Sequence, residues 1–311
     1  MQLARASLLI CGKLSGYMTT AKPQADIQPL RGVRILSLAL NLPGPAALQR
    51  LRAMGATCTK VDPPAGDPMH TYNHAVYTTL HEGVKVVTAN LRDPVGQKKL
   101  HRELARTHVL LTSFRPSALV KLGLTWKALH KAYPALSHVA IIGSPGERAE
   151  EPGHDLTYMA EMGLVIGMEL PPTLFADMGG SLMASEAVLK AALQRTRSGR
   201  GVYLEVALAN AAGYLGLPRS WGLTSPGKSL AGAHAGYRIY PCKDGRVAVA
   251  ALEPHFALAL CKAAGADALD YSTMAAPATH AAVAQFFAGK TCRQLTALGA
   301  AQDIPVFTLP G

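Results

Sequence analysis

Residues 33–61 read VRILSLALNLPGPAALQRLRAMGATCTKV, and the fold class follows from how this stretch divides. Val33–Leu40 is an apolar run of strand length, NLPGP punctuates it as a loop, Ala46–Met54 carries helical spacing, and Thr57–Val61 is a second short strand. Strand, helix and strand in that order make a βαβ opening. The alternation continues with VKVVTANL (84–91), a helix over Pro94–Arg106, HVLLTSF (108–114), a helix from Pro116, and HVAIIG (138–143). The predicted fold class is α/β, a doubly wound, Rossmann-like parallel sheet in a large domain, with ligands gathering at the carboxyl ends of its strands. The first turn lacks GxGxxG and no acidic residue stands in a ribose-binding context, which disfavours a nicotinamide dehydrogenase.

Further along, Leu182, Ser185, Leu189, Ala192 and Leu193 share one face of a helix predicted over Ser181–Arg197, closed by basic residues and by Gly199 and Gly201. A strand, VYLEVAL (202–208), follows. A Gly- and Ser-rich stretch at 225–236 leads to YRIYPCKDGRVAVAAL (237–252), which reads as a hairpin turning at Lys243, Asp244 and Gly245. The remainder reads as mixed helix ending in the apolar IPVFTL (304–309). A domain change is expected near residue 215, giving a large domain over 28–215 and a smaller α+β domain over 216–311.

The 311 residues, about half of them apolar, suffice for such a pair of domains. The net charge is +11 with histidine neutral, but the Lys and Arg residues are spread without a basic block. A phosphate-bearing small molecule is therefore a better expected partner than nucleic acid. Cys11, Cys58, Cys242, Cys261 and Cys292 form no CxxC pair and no zinc-like spacing, which predicts reduced thiols in a cytoplasmic protein. Residues 1–17, MQLARASLLICGKLSGY, have too short an apolar stretch for a signal core, and residues 1–27 are expected to be a disordered or mis-started extension. No run of 18 apolar residues offers a membrane span.

Three side chains are candidates for moving protons. His154, in PGHDLTY, falls at a predicted helix amino terminus, where the dipole disfavours a second positive charge and leaves the imidazole able to accept a proton. The plainer reading makes Asp155 a cap for that helix, with His154 covering its first turn. Asp177, in LFADMGG, precedes Gly179 and Gly180 ahead of the long helix, where small residues admit a ligand to the backbone; it suits a base, a nucleophile or a cap. Glu253, in VAVAALEPHF, ends a strand before Pro254 and by itself suits a cap. Arg115, after the strand in SFRPSAL, could meet a phosphate or a polarised carbonyl, or a surface carboxylate. Lys60, in KVDPPAGDP, opens a rigid loop where a phosphate or adenine could rest.

The ordered series LRGVRILSLA, LPGPAA, MGATCTKVDPPAGDP, LRDPVGQ, SFRPSALVKLGL, HVAIIGSPG, PGHDLTY, ADMGG, TRSGRGVYLEVAL and YPCKDGRVAVAALEPHF resembles the class III coenzyme A transferase (CaiB/BaiF) family from about Leu30 onward. That family includes α-methylacyl-CoA racemases as well as CoA transferases. The resemblance implies that Asp177 is an acyl-accepting nucleophile in a transferase or an acid/base in a racemase. It also implies that His154 and Asp177 face opposite sides of the substrate's α-carbon, with Glu253 orienting the imidazole and Asp155 supporting it. Gly-His-Asp and the LEPxF glutamate are the racemase variants, and the transferases' glycine-rich loop is not visible in GAHAGYRIY (232–240). The expected activity is therefore inversion of a 2-methylacyl-CoA thioester; CoA transfer through Asp177 is the alternative and a CoA-binding protein without turnover a further one. Coenzyme A arrives as part of the substrate, with Arg115 its matched phosphate contact and Lys60 a weaker one. No metal or redox cofactor is required, and an interlocked homodimer is implied. The chain ends sooner than such proteins usually do, and the segment between PGHDLTY and ADMGG is shorter than in typical racemases.

Overall fold

The computed structural model describes residues 27–266, 270 and 272–311. Of the extension expected over 1–27, and of Cys11 within it, everything before Ile27 lies outside the described residues. The chain forms two compact units, dividing between Leu215 and Gly216.

The first unit is built on six parallel strands: β1 (Arg34–Ser37), β2 (Thr57–Asp62), β3 (Lys85–Thr88), β4 (Val109–Thr112), β5 (Ser137–Ile142) and β6 (Tyr203–Ala207). Their order across the sheet is β3-β2-β1-β4-β5-β6, the doubly wound arrangement in which direction of winding reverses between β1 and β4. The fold class read from the sequence is the observed one. β4 and β5 are buried along their whole length, with helices of the βα units covering the sheet. One core layer joins Ile35, Leu48, Leu51, Val109, Val139 and Ile141 to Ala184, Val188 and Ala191 of the long helix; a second gathers Leu36, Leu100, Leu110 and Leu129.

That long helix runs Phe175–Ser198, six residues earlier than its predicted start. Gly179 and Gly180, read as a ligand-admitting loop, are helical. Each glycine in a helix interior costs about 1 kcal/mol relative to alanine. Packing overrides the propensity here: a Cβ on Gly180 would stand 2.3 Å from Leu208 Cδ2, and one on Gly179 would stand 3.2 Å from Leu215 Cδ1. The two glycines admit a neighbouring helix, Leu208–Ser220, rather than a ligand.

In the second unit β7 (Tyr237–Cys242) and β8 (Gly245–Ala250) form the predicted hairpin. IPVFTL contributes a strand that the reading of mixed helix did not assign. β9 (Val306–Pro310) pairs antiparallel with β8, completing a three-stranded sheet of order β7-β8-β9. Helices Pro254–Ala264, Pro277–Ala288 and Cys292–Gln302 supply its core through Leu260, Val283, Phe287 and Leu295. No helix among the described residues is long and apolar enough to cross a membrane.

Candidate active site

The loops leaving β1, β4 and β5 at their carboxyl ends meet at the winding reversal and enclose a cleft of about 250 Å³. Its lining includes Asn41, Arg115, His154, Tyr158 and Asp177. Three of the side chains singled out in the sequence, 23 to 62 positions apart along the chain, thus share one cavity of the first unit.

His154 stands immediately before the Asp155–Glu161 helix, exposed, in extended backbone (φ −142°, ψ 172°). Its N–H donates to Thr157 Oγ1 at 3.0 Å and its carbonyl accepts from the same hydroxyl at 2.7 Å, so the residue is clamped through its main chain. Asp155 is buried at 4 % exposure and does something neither expectation described. Its Oδ1 accepts the backbone N–H of Asp177 at 2.9 Å, one of the donors that a helix amino terminus leaves unpaired. The carboxylate therefore ties the start of the long helix to the end of the PGHD loop. Among the described residues no hydrogen bond joins it to His154.

Asp177 lies in the first turn of the long helix, half-buried, and its carboxylate makes no hydrogen bond among the described residues. Burial pushes its carboxyl up to about 6, the nearby charge of Asp155 adds to the rise, and His154 partly opposes it. A carboxyl held there is present in both protonation states near neutrality, which is what an acid/base group requires. Tyr158, in the same PGHDLTY segment, was not singled out from sequence. Its hydroxyl is wedged between Gly143 and Gly153, where added Cβ atoms would stand 2.2 and 2.5 Å away. Burial and the charge of Asp177 push the phenol up, so it remains a hydrogen-bond donor at neutral pH.

Arg115 precedes the Pro116–Lys121 helix and is exposed, forming no ion pair among the described residues. The start of that helix is braced by Glu150, which accepts from Ser117 N–H (2.6 Å) and Ser117 Oγ (2.8 Å). Lys60 departs from expectation. It is wholly buried, its ammonium 2.7 Å from Asp62 and also paired with Asp67, so it faces two carboxylates rather than an open phosphate site. Asp67 in turn accepts the N–H of Asn41 at 3.0 Å, and Asn41 holds a left-handed φ of 65° at the cleft. Asn41 Oδ1 is buried without a hydrogen-bond partner. Lys60 thus shapes the cleft through Asp67 and the Asn41 turn, a role whose sequence trace is the Lys-x-Asp-x4-Asp spacing.

Glu253 belongs to the second unit, where it precedes the Pro254–Ala264 helix, exposed and with no side-chain capping bond. A larger hollow of that unit, about 780 Å³, lies over β7–β9 and is lined by none of the three proton-handling candidates.

A family model for CoA-transferase family III matches residues 30–309. The human succinyl-CoA:glutarate CoA-transferase is 27% identical over 291 residues, covering 83% of this chain and 65% of that protein. The human alpha-methylacyl-CoA racemase is 30% identical over 254 residues, covering 76% of this chain and 65% of that protein. The solved structure of Rv3272 from Mycobacterium tuberculosis superposes with a TM-score of 0.78 at 25% identity, covering 90% of this chain and 85% of the other. The chain thus spans just under two thirds of the length of those two human relatives, one named a transferase and the other a racemase. On the match across its two units, the chain belongs to CoA-transferase family III, a family of enzymes that holds both activities.

Proposed function

We propose that the chain inverts the α-carbon of a 2-methylacyl-CoA thioester by two-base proton transfer. The observation that carries this reading is the shared cleft in which exposed His154 stands beside Asp177, whose carboxyl burial raises to about 6. In one direction neutral His154 takes the α-proton while protonated Asp177 delivers one to the opposite face; the reverse direction starts from the imidazolium and the carboxylate. Positioned acid/base help is worth about 10²–10⁴-fold. The Tyr158 hydroxyl is a donor available to steady the enolate oxygen, and one such donor is worth about 10²–10³-fold. The cleft admits the reacting end of a thioester, leaving the nucleotide of CoA outside it, with Arg115 at its mouth to meet phosphate. Glu253 and a second copy of the chain, interlocked with the first, would complete the site.

Incubation with a 2-methylacyl-CoA in heavy water tests the reading: deuterium enters the α-position without an acceptor acid, and His154→Ala and Asp177→Asn each abolish the exchange. Full exchange in His154→Ala removes the imidazole from the mechanism. A second reading, CoA transfer, is favoured by the unpaired Asp177 carboxylate, which is free to attack a thioester carbonyl, and by the transferase named among the relatives. It predicts an acyl group on Asp177 that hydroxylamine traps; absence of that adduct across acyl-CoA donors counts against it.

A further inference from the structure

Cys242 closes β7 and Cys292 opens the Cys292–Gln302 helix, 50 residues apart, yet their Sγ atoms stand 3.5 Å from each other. Asp244, in the hairpin turn, brings its Oδ1 to 3.9 Å from Cys242 Sγ. The donor atoms of all three residues lie within 4.8 Å of one another. We propose that Cys242, Asp244 and Cys292 form a binding site for a thiophilic divalent cation of the zinc class, separate from the acyl-CoA cleft and independent of which reaction that cleft performs.

The spacing favours an ion over a disulfide. Tetrahedral zinc, with Zn–S of about 2.3 Å and Zn–O of about 2.0–2.2 Å, sets its donor atoms roughly 3.5–3.8 Å apart. A disulfide needs about 2.05 Å between the sulfurs, so the pair would have to close further to make one. The donors also sit on supports that fix them. Thr291 caps the helix by accepting from Gln294 N–H, and the Gln294 side chain accepts from Thr291 N–H at 2.9 Å, which holds Cys292 at the first helical position. Asp244 Oδ1 accepts the Cys292 N–H at 2.6 Å, orienting the carboxylate as outer hydrogen bonds orient metal ligands. Gly245 holds the turn against β9, where a Cβ would stand 2.2 Å from Leu309 O.

Thiolates select zinc-class ions over magnesium and calcium. Two thiolates and one carboxylate around a divalent ion leave a net charge of −1, which the sequence neighbours Lys243 and Arg293 offset. Cys292 is buried, Cys242 half-buried and Asp244 exposed, so the fourth coordination position opens to water. Binding exchanges the two thiol protons, released to solvent, for the cation.

The test is titration of the reduced, metal-free full chain with Co²⁺ under a phosphine reductant, reading the thiolate-to-cobalt charge-transfer band, followed by displacement with Zn²⁺. The expected result is one equivalent bound, lost in Cys242→Ser and in Cys292→Ser, and kept in Cys58→Ser and Cys261→Ser. Asp244→Asn retains the acceptor for Cys292 N–H, so it keeps the turn while weakening cobalt binding about tenfold or more. The proposal is overturned by the absence of a charge-transfer band in the parent chain, or by a band that persists when both cysteines are serine. A chain that binds no cobalt when reduced and forms a Cys242–Cys292 crosslink in air likewise overturns it and assigns the pair to redox chemistry.

Discussion

Replacing Asp177 with Asn should make the protein more stable at neutral pH, and the amount follows from where the carboxyl sits. Burial raises it from 3.8 to about 6, so the folded state prefers the protonated form and the unfolded chain the ionised one. The penalty is absent below the unfolded value, grows between 3.8 and about 6, and is complete above that. At about 1.4 kcal/mol for each pKa unit, ionising Asp177 in the fold costs about 2–3 kcal/mol. Two effects reduce this. The first turn of the Phe175–Ser198 helix favours a negative charge by about 0.3–1 kcal/mol, and partial exposure to the cleft screens the rest. Asp177→Asn, which mimics the protonated acid without changing shape, is therefore expected to gain about 1–2 kcal/mol. Urea denaturation of parent and variant above the transition (pH 7.5) and near its foot (pH 4) measures it. The gain appears at the higher pH and disappears at the lower. Equal stability at pH 7.5, or a gain independent of pH, refutes the argument that the carboxyl is held against its preference.

Three further outcomes follow from the same contacts. Lys60→Met leaves Asp62 and Asp67 buried without their cation and should cost about 3–5 kcal/mol by urea denaturation; a loss below about 1 kcal/mol would mean that the cluster admits water. Gly143→Ala drives a methyl into the Tyr158 hydroxyl, which Gly153 also approaches closely, so a loss of about 1–3 kcal/mol is expected together with reduced α-proton exchange. Retained exchange in that variant shows Tyr158 to be structural only. Arg115→Ala should weaken CoA binding about tenfold at low salt, by calorimetry, with the difference shrinking as salt rises; an unchanged affinity removes the guanidinium from the phosphate.

Elements that announce themselves locally were readable from the chain. Val33–Val61 carries its turn, helix and strand signals within 29 residues, and the resulting βαβ order dictates where the cleft must be. What failed to show was set by partners distant in sequence. Gly179 and Gly180 look like a loop until Leu208 and Leu215 fill the space beside them. IPVFTL is too short to declare its partner, and becomes a strand because the open edge of β8 accepts it. Lys60 looks like a phosphate contact in any reading that cannot see Asp67 fold back seven residues to meet it. Asp155 looks like a cap for its own helix, whereas its carboxylate serves another that begins twenty residues later. Cys242 and Cys292 have no motif spacing at all, and only the packing of a hairpin turn against a helix start joins them. His154 and Asp177 were legible as chemistry-bearing types near turns and helix starts, and their common cleft is a property of the sheet's winding.

The central claim is that an imidazole and a carboxyl in one cleft work on the carbon beside the thioester. Its most direct measurement starts from a single enantiomer of a 2-methylacyl-CoA in heavy water, with no acceptor acid, followed by chiral separation and mass spectrometry. The account predicts conversion to a mixture of both enantiomers, the inverted one carrying a single α-deuterium. Unchanged configuration without deuterium, with CoA passing to a carboxylic acid supplied in a parallel incubation, would contradict it.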